Sequence, residues 1–357
     1  MTSTWDLVVG QSAAVSTLVR SVSHPLHAYL FVGPEGCGKE EASRAFAAQL
    51  LSGSDDPANR VCSLVLRSAH ADVHEIRREG ASILKEQAIE VIRLASTTPV
   101  ESRQKVIIMH EVDLMQDVAA ARLLKTIEEP ADGVFLILLA DQLVPMLTTI
   151  ASRCVVVHFS PLSESTITAA LESEGVSTER ARAVAHACHG SMTRARLLST
   201  DSQLFERLKF FGDIPYQLNG TGAVVSRLVD EATALINTAL EPLVRQHEIE
   251  IAEWEQRMSL VGGRKSGRKE MEDRHKREVR KYRTDEIRSG LSEMATVYRD
   301  AMKNNPDLGR PDALVGAIER LHKASGRLSL NVNEVLLLRE VIWSLPSLSA
   351  HDTLVFD

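Results

Sequence analysis

The chain is 357 residues long, enough for two or three domains at roughly 100–200 residues each. Its 44% hydrophobic and 25% charged content excludes global disorder, and 4% aromatics favours a helix-rich interior over a β-sandwich. The formal net charge of −7 makes no overall case for nucleic acid, but it is uneven: ten Lys/Arg against four acids between Arg264 and Arg283 give +6 there and −13 over the rest.

The first half alternates short apolar runs with helical patterns, the signature of a parallel α/β sheet. Strands are expected at Tyr29–Val32, Val73–Ile76, Val106–Met109, Val134–Ala140 and Val155–Phe159, with helices near 39–51, 85–97 and 117–128. The longest apolar run, Val134 to Ala140, falls far short of the ~20 residues that cross a bilayer, and residues 1–23 show no export signal. A cytoplasmic protein without membrane contact is expected. At Ser160–Pro161 the strand pattern stops. A small helical unit follows, with pieces at Ala169–Glu172, Arg180–Cys188 and Arg194–Leu198. From Ser202 onward the pattern is wholly helical: Ala223–Asn237, Leu240–Met258, Met271–Asn304, Pro311–Ser325 and Val332–Ser344. Gly262–Gly267 is the one stretch of linker composition.

The cysteines, Cys37, Cys62, Cys154 and Cys188, lie too far apart for a zinc knuckle or a redox CxxC, so neither zinc nor another metal site is expected. His186-Ala187-Cys188-His189 offers two ligands on one helical face without a third, and reads as a satisfied or solvated pair. Glu128-Glu129, just before Pro130, reads as a helix end rather than an acid/base pair. Neither a Gly-x-Ser-x-Gly elbow nor HExxH occurs.

Gly33-Pro34-Glu35-Gly36-Cys37-Gly38-Lys39 follows the strand Tyr29–Val32 and opens the helix from Glu40. That is the setting of a phosphate-binding loop: Gly33, Gly36 and Gly38 let backbone N–H groups wrap a phosphate, the helix N-terminus favours its charge, and Lys39 reaches the terminal phosphates. The next position departs from a magnesium nucleotide loop, which ends in Ser or Thr; here it is Glu40. The strand Lys105–Met109, where an Asp-Glu end is expected, runs into His110-Glu111. A carboxylate about 4 Å from a terminal phosphate would cost on the order of 4 kcal/mol per unit charge at an effective dielectric near 20. Hydrolysis is therefore not expected. The glycines and Lys39 keep the means for weak, magnesium-free binding of ATP.

Several segments together carry a resemblance: Val9-Gly10-Gln11, Gly33–Lys39, Leu123-Leu124-Lys125-Thr126-Ile127-Glu128-Glu129-Pro130, and Ser152-Arg153-Cys154 after Leu147–Ile150. The sequence resembles the bacterial clamp-loader branch of the AAA+ ATPases, and within it the delta-prime group of DNA polymerase III subunits. The likeness covers residues 5–200 well; beyond 202 it extends only to helical character. It implies an α/β plus all-α protein: a parallel-sheet P-loop AAA+ domain (1–159), a small helical lid (160–200) and a helical collar for oligomerisation (201–357). It implies a largely non-hydrolysing subunit that scaffolds the loader and donates Arg153 in trans to a neighbouring ATP site. The expected partners are gamma/tau-type and delta-type subunits, with the sliding clamp and primed DNA reached through the complex. Family members often carry four zinc-binding cysteines after the first helix; only Cys62 lies in that segment, so no zinc is carried over. Arg194, after Gly190-Ser191, sits near the place where hydrolysing relatives set a lid arginine against nucleotide.

Two other readings stay open. One is an active gamma/tau-like clamp-loader ATPase that tolerates Glu40 and His110. The other is a DNA-binding module on the basic stretch 264–283. In that stretch charges mix with acids at helical three- and four-residue spacings and Tyr282 is the sole aromatic, which favours a solvated, self-paired helix.

Overall fold

The computed structural model describes residues 3–78, 82–261, 268–304, 311–328 and 332–349. They form two compact units, Met1–Ser199 and Thr200–Asp357.

In the first unit the elements run α1 (Ser12–Ser21), β1 (Ala28–Val32), α2 (Lys39–Ser52), α3 (Arg60–Leu66), β2 (Val73–Ile76), α4 (Lys85–Ala95) and β3 (Lys105–Met109). They continue with α5 (Asp117–Glu128), β4 (Val134–Ala140), α6 (Thr148–Ala151) and β5 (Val155–His158). The short helices α7 (Glu164–Ser173), α8 (Thr178–Ala187) and α9 (Met192–Ser199) complete it. The five strands form one parallel sheet in the order β2-β3-β4-β1-β5. Every residue of β1, β3 and β4 is buried, which is why these strands read as unbroken apolar runs; the edge strands β2 and β5 are only partly covered. Successive residues of β1 face opposite ways. Tyr29 and Phe31 join a core with α1, α2 and α3 on one face, whereas Ala28, Leu30 and Val32 join α4, α5 and α6 on the other. This is the P-loop α/β sheet that the sequence leads one to expect. Residues 160–199 pack into the same unit as the sheet.

The second unit is helical: α10 (Leu204–Gln217), α11 (Gly222–Val261), α12 (Arg268–Asn304), α13 (Pro311–Arg327) and α14 (Glu334–Trp343). Its core draws Phe211 and Ile214 from α10, Leu228 and Ile236 from α11, and Leu291 and Tyr298 from α12; Leu321 of α13 and Ile342 of α14 close it. The sequence suggests a break between Asn237 and Leu240, yet α11 runs straight through with Pro242 inside it. The proline removes one backbone hydrogen bond, while Leu240 and Leu243, on either side of it, are held by the core. Helix α10, with Pro215 inside it, is not among the segments the sequence pattern singles out. The linker-like stretch Gly262–Gly267 lies outside the described residues. Among the described residues no helix is long and apolar enough to cross a membrane.

Candidate functional site

Strand β1 ends at the centre of the sheet, and its loop crosses the carboxyl edge beside β4, the crevice where open α/β sheets bind ligands. Two glycines make the loop possible. A Cβ at Gly33 would lie 2.3 Å from the Phe159 carbonyl oxygen, and Gly38 caps α2 at φ +101°, in left-handed backbone. Gln11 locks the loop from below: its Nε2 donates to the carbonyls of Cys37 (2.9 Å) and Ser160 (2.6 Å), and its Oε1 accepts from the Ser160 amide (3.2 Å). From above, the Met192 amide at the start of α9 donates to the Gly36 carbonyl at 2.8 Å. Burial pushes the Cys37 thiol up to about 11, so it stays protonated. Gly33, Gly36, Gly38 and Lys39 are thus brought together as a loop–helix unit.

The charges around that loop are already matched. Lys39, 6% exposed, donates from Nζ to the Asp141 carboxylate (2.6 Å), to the Ala140 carbonyl (3.1 Å) and to the Gly33 carbonyl. Asp141 follows β4 directly, and a polar residue just past a buried strand beside the loop strand is a signal that could have marked it in the sequence. Glu40 does not face the loop as a bare negative charge. Its carboxylate accepts from Arg77 Nη2 at 2.7 Å and lies 3.6 Å from both Arg44 Nη2 and His110 Nδ1. Glu75 of β2 accepts from Arg44 Nε (2.7 Å) and Nη2 (2.9 Å), from the Ser68 hydroxyl (2.6 Å), and pairs with His110 Nε2 (3.1 Å). Glu111 pairs with Arg78 at 2.9 Å. Burial would raise the carboxyls of Glu40 and Glu75, but hydrogen bonds from His110 and the arginines outweigh it and hold both well below the usual carboxylate range.

This donor set does not fit magnesium. Where a hydroxyl and a carboxylate would hold the ion stand Glu40 and His110; Glu40 and Glu75 already pair with guanidinium and imidazole groups, Glu111 with Arg78 and Asp141 with Lys39. A divalent cation would have to displace those partners.

The ion-pair cluster also has a mechanical role, which gives an expected result. Glu75, with a side chain 13% exposed, joins Arg44 of α2 to His110 beyond β3. Glu75→Gln takes from Arg44 its close carboxylate, leaving Glu40 at 3.6 Å, and should cost about 3 kcal/mol, at the lower end for a broken buried pair. For a unit of this size that is a melting temperature lower by ~6–12 °C, read by thermal unfolding. Because the folded carboxyls titrate below their unfolded value of 4.5, their contribution is complete above that pH and lost as pH falls beneath it. The variant should therefore show a shallower acid loss than the parent chain.

Arg153 lies elsewhere. It sits between α6 and β5, at the amino edge of the sheet, a strand length (about 15 Å) from the loop at the carboxyl edge. Its Nε donates to Glu128 at the end of α5, and its Nη1 to the Thr149 carbonyl (2.9 Å) and the Ser152 hydroxyl (3.1 Å); the side chain is 32% exposed. Arg194 is buried on α9, with Nε 3.4 Å from the Ala187 carbonyl. His186 pairs with Glu164 at 3.1 Å.

In the basic stretch, Arg264 and Lys265 lie outside the described residues. Four of its other cations pair with acids. Arg268 pairs with Glu272 (2.8 Å) and Glu255, Arg274 with Glu250, Lys276 with Asp273 (3.4 Å) and Arg283 with Glu334 (2.8 Å). Between α11 and α12 the rings of His247 and His275 stack at 3.9 Å, each bonded to a glutamate of the opposite helix, Glu278 and Glu250.

Comparison with known proteins points the same way. Residues 10–163 match the family model described as DNA polymerase III, delta subunit. The chain is 33% identical over 187 residues to the DNA polymerase III subunit delta' of Bacillus subtilis, covering 51% of this chain and 57% of that one. It is 32% identical over 157 residues to the delta' subunit of Pseudomonas aeruginosa, covering 42% and 48%. The tau subunit of Bacillus subtilis is 31% identical over 221 residues, covering 58% of this chain and 38% of that one. The chain thus spans about half the length of the delta' relatives it matches. Over residues 10–163, which hold the loop, the ion-pair cluster and Arg153, the chain is similar to the delta' subunits of DNA polymerase III.

Proposed function

We propose that the chain is a non-hydrolysing subunit of a DNA polymerase III clamp loader, which scaffolds the assembly and donates Arg153 in trans. The observation that carries the first half is the pairing at the loop: Lys39, Glu40, Glu75 and Glu111 each have an internal counter-charge, in the places where a hydrolysing site needs them for phosphate, metal and water. The second half is supported by the separation of Arg153 from this chain's own loop. An arginine at the amino edge of the sheet cannot serve a phosphate at the carboxyl edge of the same sheet. In a head-to-tail arrangement, where one subunit's amino edge meets the next one's loop, it can. The partners are gamma/tau-type and delta-type subunits, and through them the sliding clamp and primed DNA. Any ATP held by Gly33–Lys39 is bound weakly and without magnesium.

The test is phosphate release by the purified chain, with and without primed DNA. The expected rate is background, unchanged by Lys39→Ala. Turnover that Lys39→Ala abolishes would overturn the reading in favour of an active loader ATPase.

A further inference from the structure

The ammonium of Lys39 has three hydrogens to donate, and the fold uses all of them. One goes to the Gly33 carbonyl, one to the Ala140 carbonyl at 3.1 Å and one to the Asp141 carboxylate at 2.6 Å. These acceptors differ in how they are held. The two carbonyls are main chain and are tied together, because the Gly33 amide also donates to the Ala140 carbonyl at 3.1 Å. Asp141 contributes only a side chain, 47% exposed against 6% for Lys39. Its backbone is fixed separately, by an amide that donates to the Asp113 carboxylate at 3.1 Å. The one bond to Lys39 that can open without moving the sheet is therefore the one to Asp141, by rotation of a half-exposed carboxylate into water.

That bond engages the group a ligand of the loop would need. Lys39 holds the position whose ammonium reaches the terminal phosphates in a loop of this kind. A carboxylate, like a phosphate, offers an ammonium negative charge and acceptor oxygens. We propose that Asp141 is an internal counter-anion standing in for a terminal phosphate on Lys39, so that the loop is closed from within and takes a magnesium-free triphosphate group only after Asp141 lets go. This role for Asp141 rests on the reading of Gly33–Lys39 as a loop that holds ATP weakly and without hydrolysis, and it supplies the cause of that weakness. The affinity measured for such a site is its intrinsic affinity multiplied by the fraction of molecules with Lys39 unpaired. A charged pair on a buried ammonium keeps that fraction small. An entering triphosphate also meets a like charge beside the lysine, a repulsion that salt screens. With its own anion in place, the loop keeps its bonds to β4 through Lys39 and to α9 through the Met192 amide without any nucleotide.

The experiment titrates the full chain with ATP in the presence of EDTA, following binding by calorimetry, for the parent, Asp141→Ala, Asp141→Asn and the double variant Asp141→Ala with Lys39→Ala. Asp141→Ala should bind roughly tenfold more tightly than the parent, or better, because Lys39 is then vacant in every molecule. The double variant should lose that gain. Asp141→Asn keeps an acceptor for Lys39 without the charge and should fall between; it decides alone where Asp141→Ala does not fold. Removing the carboxylate leaves a buried ammonium without its counter-charge, so Asp141→Ala should melt below the parent. ATP should then raise its melting temperature more than the parent's. Inorganic triphosphate titrated alongside separates the two sources of the group: an equal gain assigns the site to phosphates alone, a larger gain with ATP assigns it to a nucleotide, and either supports the counter-anion. Equal affinities in the parent and Asp141→Ala overturn the proposal, as does an absence of binding by both or a gain that survives Lys39→Ala. Phosphate release by the parent that Lys39→Ala abolishes overturns the non-hydrolysing reading instead, while the comparison of affinities still decides Asp141.

Discussion

Arg153→Ala is expected to leave folding and complex formation intact while lowering the DNA-stimulated ATP turnover and clamp loading of the assembled complex. In the free chain the guanidinium rests on Glu128 in a half-exposed pair. Such a pair is worth about 1 kcal/mol at most, so the arginine can exchange it for a phosphoryl group at little cost. An arginine that meets charge growing in the transition state contributes to rate and hardly to ground-state assembly. Arginine fingers in nucleotide hydrolases are worth about 10³–10⁵ at the site they serve. In a loader with several sites, the whole assembly should lose only the share of turnover carried by the one site. Arg153→Lys should fail nearly as badly, because an ammonium lacks the planar fork. Glu128→Gln removes the resting partner and should leave turnover at or above the parent value. Steady-state hydrolysis by the reconstituted complex, beside size-exclusion chromatography of each variant, separates these outcomes. Wild-type turnover in a fully assembled Arg153→Ala complex would reduce Arg153 to a surface ion pair.

What could be read in the sequence, and what could not, divides along a physical line. The central strands were legible because burial on both faces leaves only apolar residues in Leu30–Val32, Ile107–Met109 and Val134–Ala140. The loop was legible because a turn that needs Gly33 and a left-handed Gly38 allows little else. Replacement of both magnesium positions was legible too. What replaced them was not. Arg44 to Glu75 spans 31 residues, Glu40 to Arg77 spans 37 and Lys39 to Asp141 spans 102, and no local pattern encodes partners that only the folded sheet brings together. The electrostatic penalty expected of Glu40 is that of an isolated carboxylate, whereas in the fold its carboxylate accepts from Arg77. Helix α11 shows the limit from the other side: Pro242 is a local stop signal that packing of Leu240 and Leu243 overrides. Helix α10 hides a charge, since Arg207 sits in its sequence like any surface residue of an amphipathic helix yet is 1% exposed.

That buried arginine carries the largest stability effect expected in the second unit. Arg207 donates from Nε to Glu286 of α12 at 2.8 Å and from Nη2 to Asp201, while its Nη1 is buried without a hydrogen-bond partner. The side chains of Arg207 and Glu286 are 2% and 4% exposed, so water can take over neither role. Arg207→Met keeps the volume and the helix propensity but takes the guanidinium away from the buried Glu286 carboxylate, and should cost about 3–5 kcal/mol. Glu286→Gln alone leaves the guanidinium with Asp201 as its carboxylate and should cost less. The double variant leaves no buried charge; Asp201, 18% exposed, can turn to solvent. Replacing a buried ion pair by neutral groups of similar size is often close to neutral, so the double variant should recover most of the loss. Urea unfolding of the four proteins, with hydrogen exchange of α10 and α12 to confine the readout to this unit, gives the coupling directly. A coupling energy of several kcal/mol is the expected result. Additive single losses would show that Arg207 holds α10 to α12 through packing of its stem and not through its charge.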